Sequence, residues 1–126
     1  MNKKRILVID DEAAFTRMLK LNLDQTDRYE VRTVNWPEQA LQTAREFQPD
    51  LVLLDILMPR MVGGDVAAQL RKEPNLKEIP IVFFTAAVKK SIVEEHAGVI
   101  AGDPFIAKPA SLEEVIACIE KHLPNP

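Results

Sequence analysis

Short apolar runs alternate with stretches of helical periodicity along the whole chain. "RILVI" (5–9) ends in four consecutive apolar residues and reads as a strand buried on both faces. Residues 12–24 follow with a period near 3.6, and Ala14, Met18 and Leu21 at i, i+4 and i+7 are the predicted inner stripe of a first helix. "YEVRTV" (29–34) alternates apolar with polar, as a half-exposed strand does. A helix is predicted from Pro37, which suits a first turn, with Ala40, Leu41, Ala44 and Phe47 facing inward. "LVLL" (51–54) is the third strand. A helix over 65–72 buries Val66, Ala67 and Leu70, and "IVFF" (81–84) is the fourth strand. Ser91 with Glu94 and Ser111 with Glu114 have capping-box spacing. The first pair is predicted to start a short helix that stops at Gly98. The second starts a helix with Leu112, Val115, Ile116, Ile119 and Leu123 on one face. Between them "PFIA" (104–107) is a short strand, at an edge or starting at Pro104, because proline cannot donate to a ladder.

Five strands alternating with five helices predict an α/β doubly wound parallel sheet. Right-handed crossovers leave few strand orders. The first, third and fourth strands are the most apolar and belong in the centre. The second alternates and the fifth carries a proline, so both suit edges. That selects the order 2-1-3-4-5, the flavodoxin-like (βα)5 arrangement. No repeat, low-complexity stretch or linker divides the sequence, so residues 1–126 read as one domain.

Charge narrows the function classes. The chain has 16 basic and 19 acidic side chains, a net charge of −3, and no basic block, which argues against nucleic acid or an anionic membrane as a direct partner. A single cysteine, Cys118, excludes an internal disulfide and fits a reducing compartment. The apolar run of four after "NKKR" is too short for a signal peptide, and no run approaches the ~18 apolar residues of a membrane span, so the expected setting is the cytoplasm.

In such a sheet, ligands meet the chain beyond the carboxyl ends of the strands. There the first strand ends in Asp10 and Asp11, with Glu12 next. The third ends in Asp55, the fourth in Thr85 and the fifth in Lys108. Two unit charges 4 Å apart at an effective dielectric near 20 repel by about 4 kcal/mol, so a proton or a cation must relieve three adjacent carboxylates. Oxygen ligands without nearby histidine or cysteine favour Mg2+ over zinc. Thr85 and Lys108 add a hydroxyl and a positive charge for an anion. A carboxylate, a hard metal and a cationic clamp describe phosphoryl transfer onto Asp55, since carboxylates accept phosphate covalently and the transfer needs mainly positioning and charge neutralisation.

"ILVIDDE" (6–12), "DLVLLDILMP" (50–59) with "MVGG" (61–64), "FFTAA" (83–87) and "FIAKP" (105–109) each carry little alone. In this order, each at a strand end, they resemble the receiver domain of two-component response regulators over essentially the whole chain. The resemblance implies a phosphoprotein of a phosphorelay, in which a sensor histidine kinase or phosphotransfer protein supplies the phosphoryl group and Asp55 becomes 4-aspartylphosphate. It implies Mg2+ held by Asp11, Asp55 and the Leu57 backbone carbonyl, with Asp10 assisting. It implies that Thr85 and Lys108 contact the phosphoryl group, that the Lys108–Pro109 peptide is cis, and that Phe105 moves with Thr85 to change partner binding on the face of the fourth helix, fifth strand and fifth helix. Such a protein signals to a downstream effector, with self-phosphorylation and autodephosphorylation chemistry rather than enzymatic turnover; homodimerisation is left open. Two departures stand out. Val62 occupies a position that is often acidic, with Asp65 expected to take over helix capping. Residues 98–105, "GVIAGDPF", lack the usual glycine–alanine spacing before the aromatic.

Three other classes fit less well. An aspartyl-phosphate phosphohydrolase resembling haloacid dehalogenases places a second aspartate two residues after the nucleophile, where this chain has Leu57. A flavin- or nucleotide-binding relative of the same fold ends its first strand in a phosphate loop, whereas this one ends in Asp-Asp-Glu. An inert receiver-like adaptor would lack one of the five site residues. Cys118 is expected to be an inert buried thiol and Trp36 surface packing; His96 and His122, away from the strand ends, receive no role. The last helix runs into "LPNP", and whether an effector domain follows is left open.

Overall fold

The computed structural model describes residues 3–59 and 61–124. It contains β1 (Lys4–Ile9), α1 (Ala13–Asp24), β2 (Tyr29–Val34), a 3-10 turn (Pro37–Gln39) leading into α2 (Ala40–Phe47), β3 (Leu51–Leu54), α3 (Gly63–Lys72), β4 (Ile81–Thr85), α4 (Lys90–Glu95), β5 (Val99–Ile100), β6 (Asp103–Ala107) and α5 (Leu112–His122). The sheet order is β2-β1-β3-β4-β6-β5. Its first five members are parallel and follow the expected doubly wound order. The extra member, β5, pairs antiparallel with β6, Val99 opposite Pro104. The parallel strand that carries Pro104 is therefore not the edge.

Strand alternation divides the core into two layers. Ile6, Val8, Leu53, Val82, Phe84 and Ile106 point to one side and meet Leu19 and Leu23 of α1 and Val115 and Ile119 of α5. Leu7, Ile9, Val52, Leu54, Ile81 and Phe83 point to the other and meet Ala44 and Phe47 of α2 and Val66, Ala67 and Leu70 of α3. Tyr29 on the edge strand donates its hydroxyl to the Glu120 carboxylate, tying α5 to the far side of the sheet.

α1 faces the other way from the periodic expectation. Its buried residues are Thr16, Leu19 and Leu23, with Phe15 packed beside them. Met18 and Leu21 remain 56% and 58% exposed. The helix carries two apolar stripes, and the sheet takes the one with the larger run of bulky residues, Phe15, Leu19 and Leu23. α4 also differs. Its N-cap is Lys89 rather than Ser91, with no side-chain cap, and it ends at Glu95. Ala97 (φ 53) and Gly98 (φ 83) turn the chain into β5, and Ala101 (φ 52) and Gly102 (φ 85) then reverse it as a two-residue hairpin. The Ser111 capping box forms on both sides, Ser111 Oγ accepting from Glu114 N–H and Glu114 Oε1 from Ser111 N–H. Asp65 lies in the first turn of α3 but supplies no side-chain cap; the N-cap is Val62. Among the described residues no helix is long and apolar enough to cross a membrane.

Candidate phosphoacceptor and metal site

The parallel register brings the expected strand ends to one rim. Asp10 N–H donates to Val34 O and Asp55 N–H to Ile9 O, both at 3.0 Å, so the ladder continues one residue past each strand and fixes both aspartates. Asp10, Asp11 and Asp55 each present a carboxylate oxygen, all within 4.8 Å of one another, with Asp10 and Asp55 buried. Asp55 Oδ1 accepts the Ile56 N–H at 2.8 Å, and Asp10 Oδ1 accepts the Glu12 N–H at 2.9 Å. Asp10 thus also satisfies an orphan donor at the start of α1, so its structural and site roles coexist.

The loop after Asp55 is closed by a glycine for a steric reason. Gly63 N–H bonds Ile56 O at 2.8 Å. A Cβ on Gly63 would lie 2.1 Å from the Asp55 carbonyl oxygen, so only glycine lets α3 start this close to the acceptor. Leu57 on this loop is 62% exposed, while the next residue, Met58, is buried.

Thr85 is fully buried at the end of β4, where its Oγ1 accepts the Ala87 N–H at 3.1 Å. Lys108 N–H donates to Thr85 O at 2.9 Å, so the two side chains come from adjacent backbone positions. The Lys108–Pro109 peptide is cis. Lys108 Nζ bonds Asp10 Oδ2 at 2.5 Å and stands 3.7 Å from Glu12 Oε1 and 3.9 Å from Asp55 Oδ2. One cation therefore faces three carboxylates and neutralises only part of their charge. Burial holds the Asp10 carboxyl above its ordinary range, and the Lys108 and Glu12 hydrogen bonds only partly counter it. Phe105 is half-buried and stacks on Phe83, with centroids 5.0 Å apart. Phe83 and Thr85 share one face of β4 by alternation, and Phe105 is the cross-strand partner of Phe83.

The structure brings the Asp10, Asp11, Asp55 and Lys108 side chains together and joins Thr85 to Lys108 through the backbone. It adds three that the sequence reading did not assign. Asn35 Nδ2 donates to Asp10 O and to Thr16 Oγ1, both at 2.9 Å, locking the β1 end to α1. Glu12 shares Lys108. Phe15 lies under the lysine, its ring centroid 4.1 Å from Nζ. The available signals were positional: Asn35 directly follows β2 on the same rim, and Phe15 is one helical turn beyond Asp11. Cys118 is half-buried on α5, and burial pushes its thiol up to about 11, so it is protonated at neutral pH. Trp36 is exposed, in a cleft shared with Asp11, Asn35, Pro37 and Pro59.

The donor set suits a hard divalent cation: three carboxylates, two of them buried, with one ammonium, that of Lys108, close to two of them. Comparisons with known proteins identify the family. The family model of the response regulator receiver domain matches residues 6–120. The DNA-binding response regulator MtrA of Mycobacterium tuberculosis H37Rv is 37% identical over 122 residues, which are 96% of this chain and 51% of that protein. The chain thus spans about half the length of the curated relatives it matches. A putative response regulator from Chloroflexus aurantiacus is similar with a TM-score of 0.78 at 31% identity, over 95% of this chain and 97% of that one. The chemotaxis protein CheY4 of Vibrio cholerae shares the fold, with a TM-score of 0.81 at 24% identity over 97% of this chain and 100% of that one. A strand-end aspartate triad on a doubly wound parallel sheet, matched by the family model along nearly its whole length, places this chain in the response regulator receiver family.

Proposed function

We propose that Asp55 is the phosphoacceptor and that the protein works as a Mg2+-dependent switch in a two-component phosphorelay. The carrying observation is the convergence of the Asp10, Asp11 and Asp55 carboxylates within 4.8 Å, with Lys108 Nζ 3.9 Å from Asp55. Asp11, Asp55 and the Leu57 carbonyl would hold the ion, with Asp10 assisting. Bound Mg2+ supplies neutralisation of phosphoryl oxygens and of the acidic cluster. Asp55 offers Oδ2 to phosphorus while Oδ1 stays on the Ile56 N–H, so the attacking oxygen is held in one orientation. As the P–O bond to Asp55 forms, the bond to the donor's nitrogen or acyl oxygen breaks and the leaving group departs. Lys108 and Thr85 contact oxygens of the transferred group, Lys108 by charge and Thr85 through its hydroxyl proton.

The donor is a phosphohistidine protein, a sensor kinase or phosphotransfer domain. The exposed Ala14–Met18–Leu21 stripe supports protein docking here, because it begins three residues from Asp11. Drawing Thr85 towards the phosphoryl group opens space on the same sheet face for Phe105 to turn. The surface of α4, β6 and α5 then changes and is read by an effector. Moving such an equilibrium from 1:99 to 99:1 takes about 5.5 kcal/mol of differential interaction, within reach of a phosphoryl–metal–lysine cluster. Acetyl phosphate with Mg2+ and intact mass test the acceptor: wild type gains one phosphoryl group and Asp55→Asn gains none. Amide shifts with a beryllofluoride mimic test the switch, and silence over residues 91–123 would refute it.

A further inference from the structure

Lys108 has a second set of neighbours besides carboxylates. Its side chain is 12% exposed. Phe15, from the first turn of α1, places its ring centroid 4.1 Å from Nζ, and Phe84, from β4, places its own 5.7 Å away. The two rings meet edge to face, with centroids 5.4 Å apart and planes at 73°. Such a pair fixes the orientation of the Phe15 ring. The ammonium lies between a carboxylate cluster and an aromatic floor, with little water to hydrate it.

We propose that Phe15 is a positioning residue for phosphorylation: its ring is the seat on which the Lys108 ammonium pivots from Asp10 to the phosphoryl group on Asp55. This rests on the reading of Asp55 as acceptor. Before transfer the lysine is held by Asp10 at 2.5 Å and is 3.9 Å from Asp55 Oδ2. To meet a phosphoryl oxygen it must give up the short contact while staying out of bulk water. An ion's attraction to a ring face has no hydrogen-bond direction. It therefore persists along the pivot and does not compete for the protons the phosphoryl oxygens take. An aliphatic side chain in the same place leaves the ammonium against a wall that desolvates it and gives nothing back. The lysine then stays bound to Asp10.

Phe15→Leu, which keeps apolar volume, and Phe15→Tyr, which keeps the ring, test this together. Phosphorylation by acetyl phosphate with Mg2+ is followed under saturating and subsaturating donor, beside thermal unfolding and the proton shifts of the Lys108 ε-methylene. The expected result for Phe15→Leu is a maximal rate about five- to thirtyfold lower, the fold-change that corresponds to a cation–ring interaction of about 1–2 kcal/mol. The donor concentration for half-maximal rate stays the same, and the Lys108 ε-protons move downfield as the ring current is lost. Phe15→Tyr retains the wild-type rate and upfield shift. A Phe15→Leu rate equal to wild type overturns the proposal, and so does a Phe15→Tyr rate as low as that of Phe15→Leu. A wild type that takes no phosphoryl group refutes the acceptor reading instead. The ε-proton shifts then decide alone whether Phe15 seats the lysine.

Discussion

Lys108 is bonded to Asp10, not to Asp55: its Nζ lies 2.5 Å from Asp10 Oδ2 and 3.9 Å from Asp55 Oδ2. Both carboxylates are buried, so this cation compensates charge that water does not reach. Lys108→Met should cost about 2–3 kcal/mol in metal-free buffer at neutral pH, the scale of a charged hydrogen bond lost with its acceptor left behind. Urea unfolding measures it. Added Mg2+ should recover part of the loss; a metal-free stability equal to wild type would show that Asp10 does not depend on Lys108.

Asp11 adds a third carboxylate to the same crowding, while Lys108 faces Asp10, Glu12 and Asp55. Asp11→Ala should weaken Mg2+ binding at least tenfold by calorimetry. The same variant without metal should be more stable by about 1 kcal/mol, the order of one unit-charge repulsion at 4 Å in a watery medium. Unchanged Mg2+ affinity would place the ion elsewhere.

The glycine pair that opens α3 gives a contrast within one dipeptide. A Cβ on Gly63 would meet the Asp55 carbonyl at 2.1 Å, while one on Gly64 meets nothing within 4 Å. Gly63→Ala should destabilise by about 1–3 kcal/mol and abolish phosphorylation by displacing Asp55. Gly64→Ala, inside the helix, should be neutral or stabilising by up to about 1 kcal/mol. Equal behaviour of the two would mean that the loop relaxes around the added methyl.

Much of this was legible from residue order. Apolar runs, and alternation in the second strand, mark all five parallel strands, and the strand ends deliver Asp10, Asp11, Asp55, Thr85 and Lys108, because a parallel register aligns strand ends on one rim. The facing of α1 was not legible: Ala14–Met18–Leu21 and Phe15–Leu19–Leu23 both have helical spacing, and only the sheet chooses between them. β5 escaped because two residues, Val99 and Ile100, give no period, and its hairpin depends on positive φ at Ala101 and Gly102. Ser91 failed as a cap because α4 begins one residue before it. The Phe15–Lys108 contact joins residues from opposite ends of the chain, which no local pattern reports.

Neither of the side chains two residues after Asp55 and two after Thr85 can hydrogen-bond a water. Leu57 is exposed, and Ala87 gives its N–H to the Thr85 hydroxyl. Autodephosphorylation needs water in line with the departing carboxylate oxygen, and positioning is a large part of that chemistry. Loss of phosphate should therefore be slow, and the Leu57→Asn, Ala87→Glu double variant should shorten the phosphorylated half-life about tenfold or more. Decay of labelled protein under excess Mg2+ measures it. An equal or longer half-life would show that these positions do not govern access of water.

The central claim is that Asp55 itself carries the phosphoryl group, and borohydride trapping reads this directly. Acetyl phosphate and Mg2+ are added, the acyl phosphate is reduced in place to homoserine, and peptides are sequenced by mass spectrometry. Homoserine at position 55 alone, absent when Mg2+ is chelated, is the expected result. Homoserine at position 10 or 11, or none anywhere while the protein still gains phosphate, would contradict it.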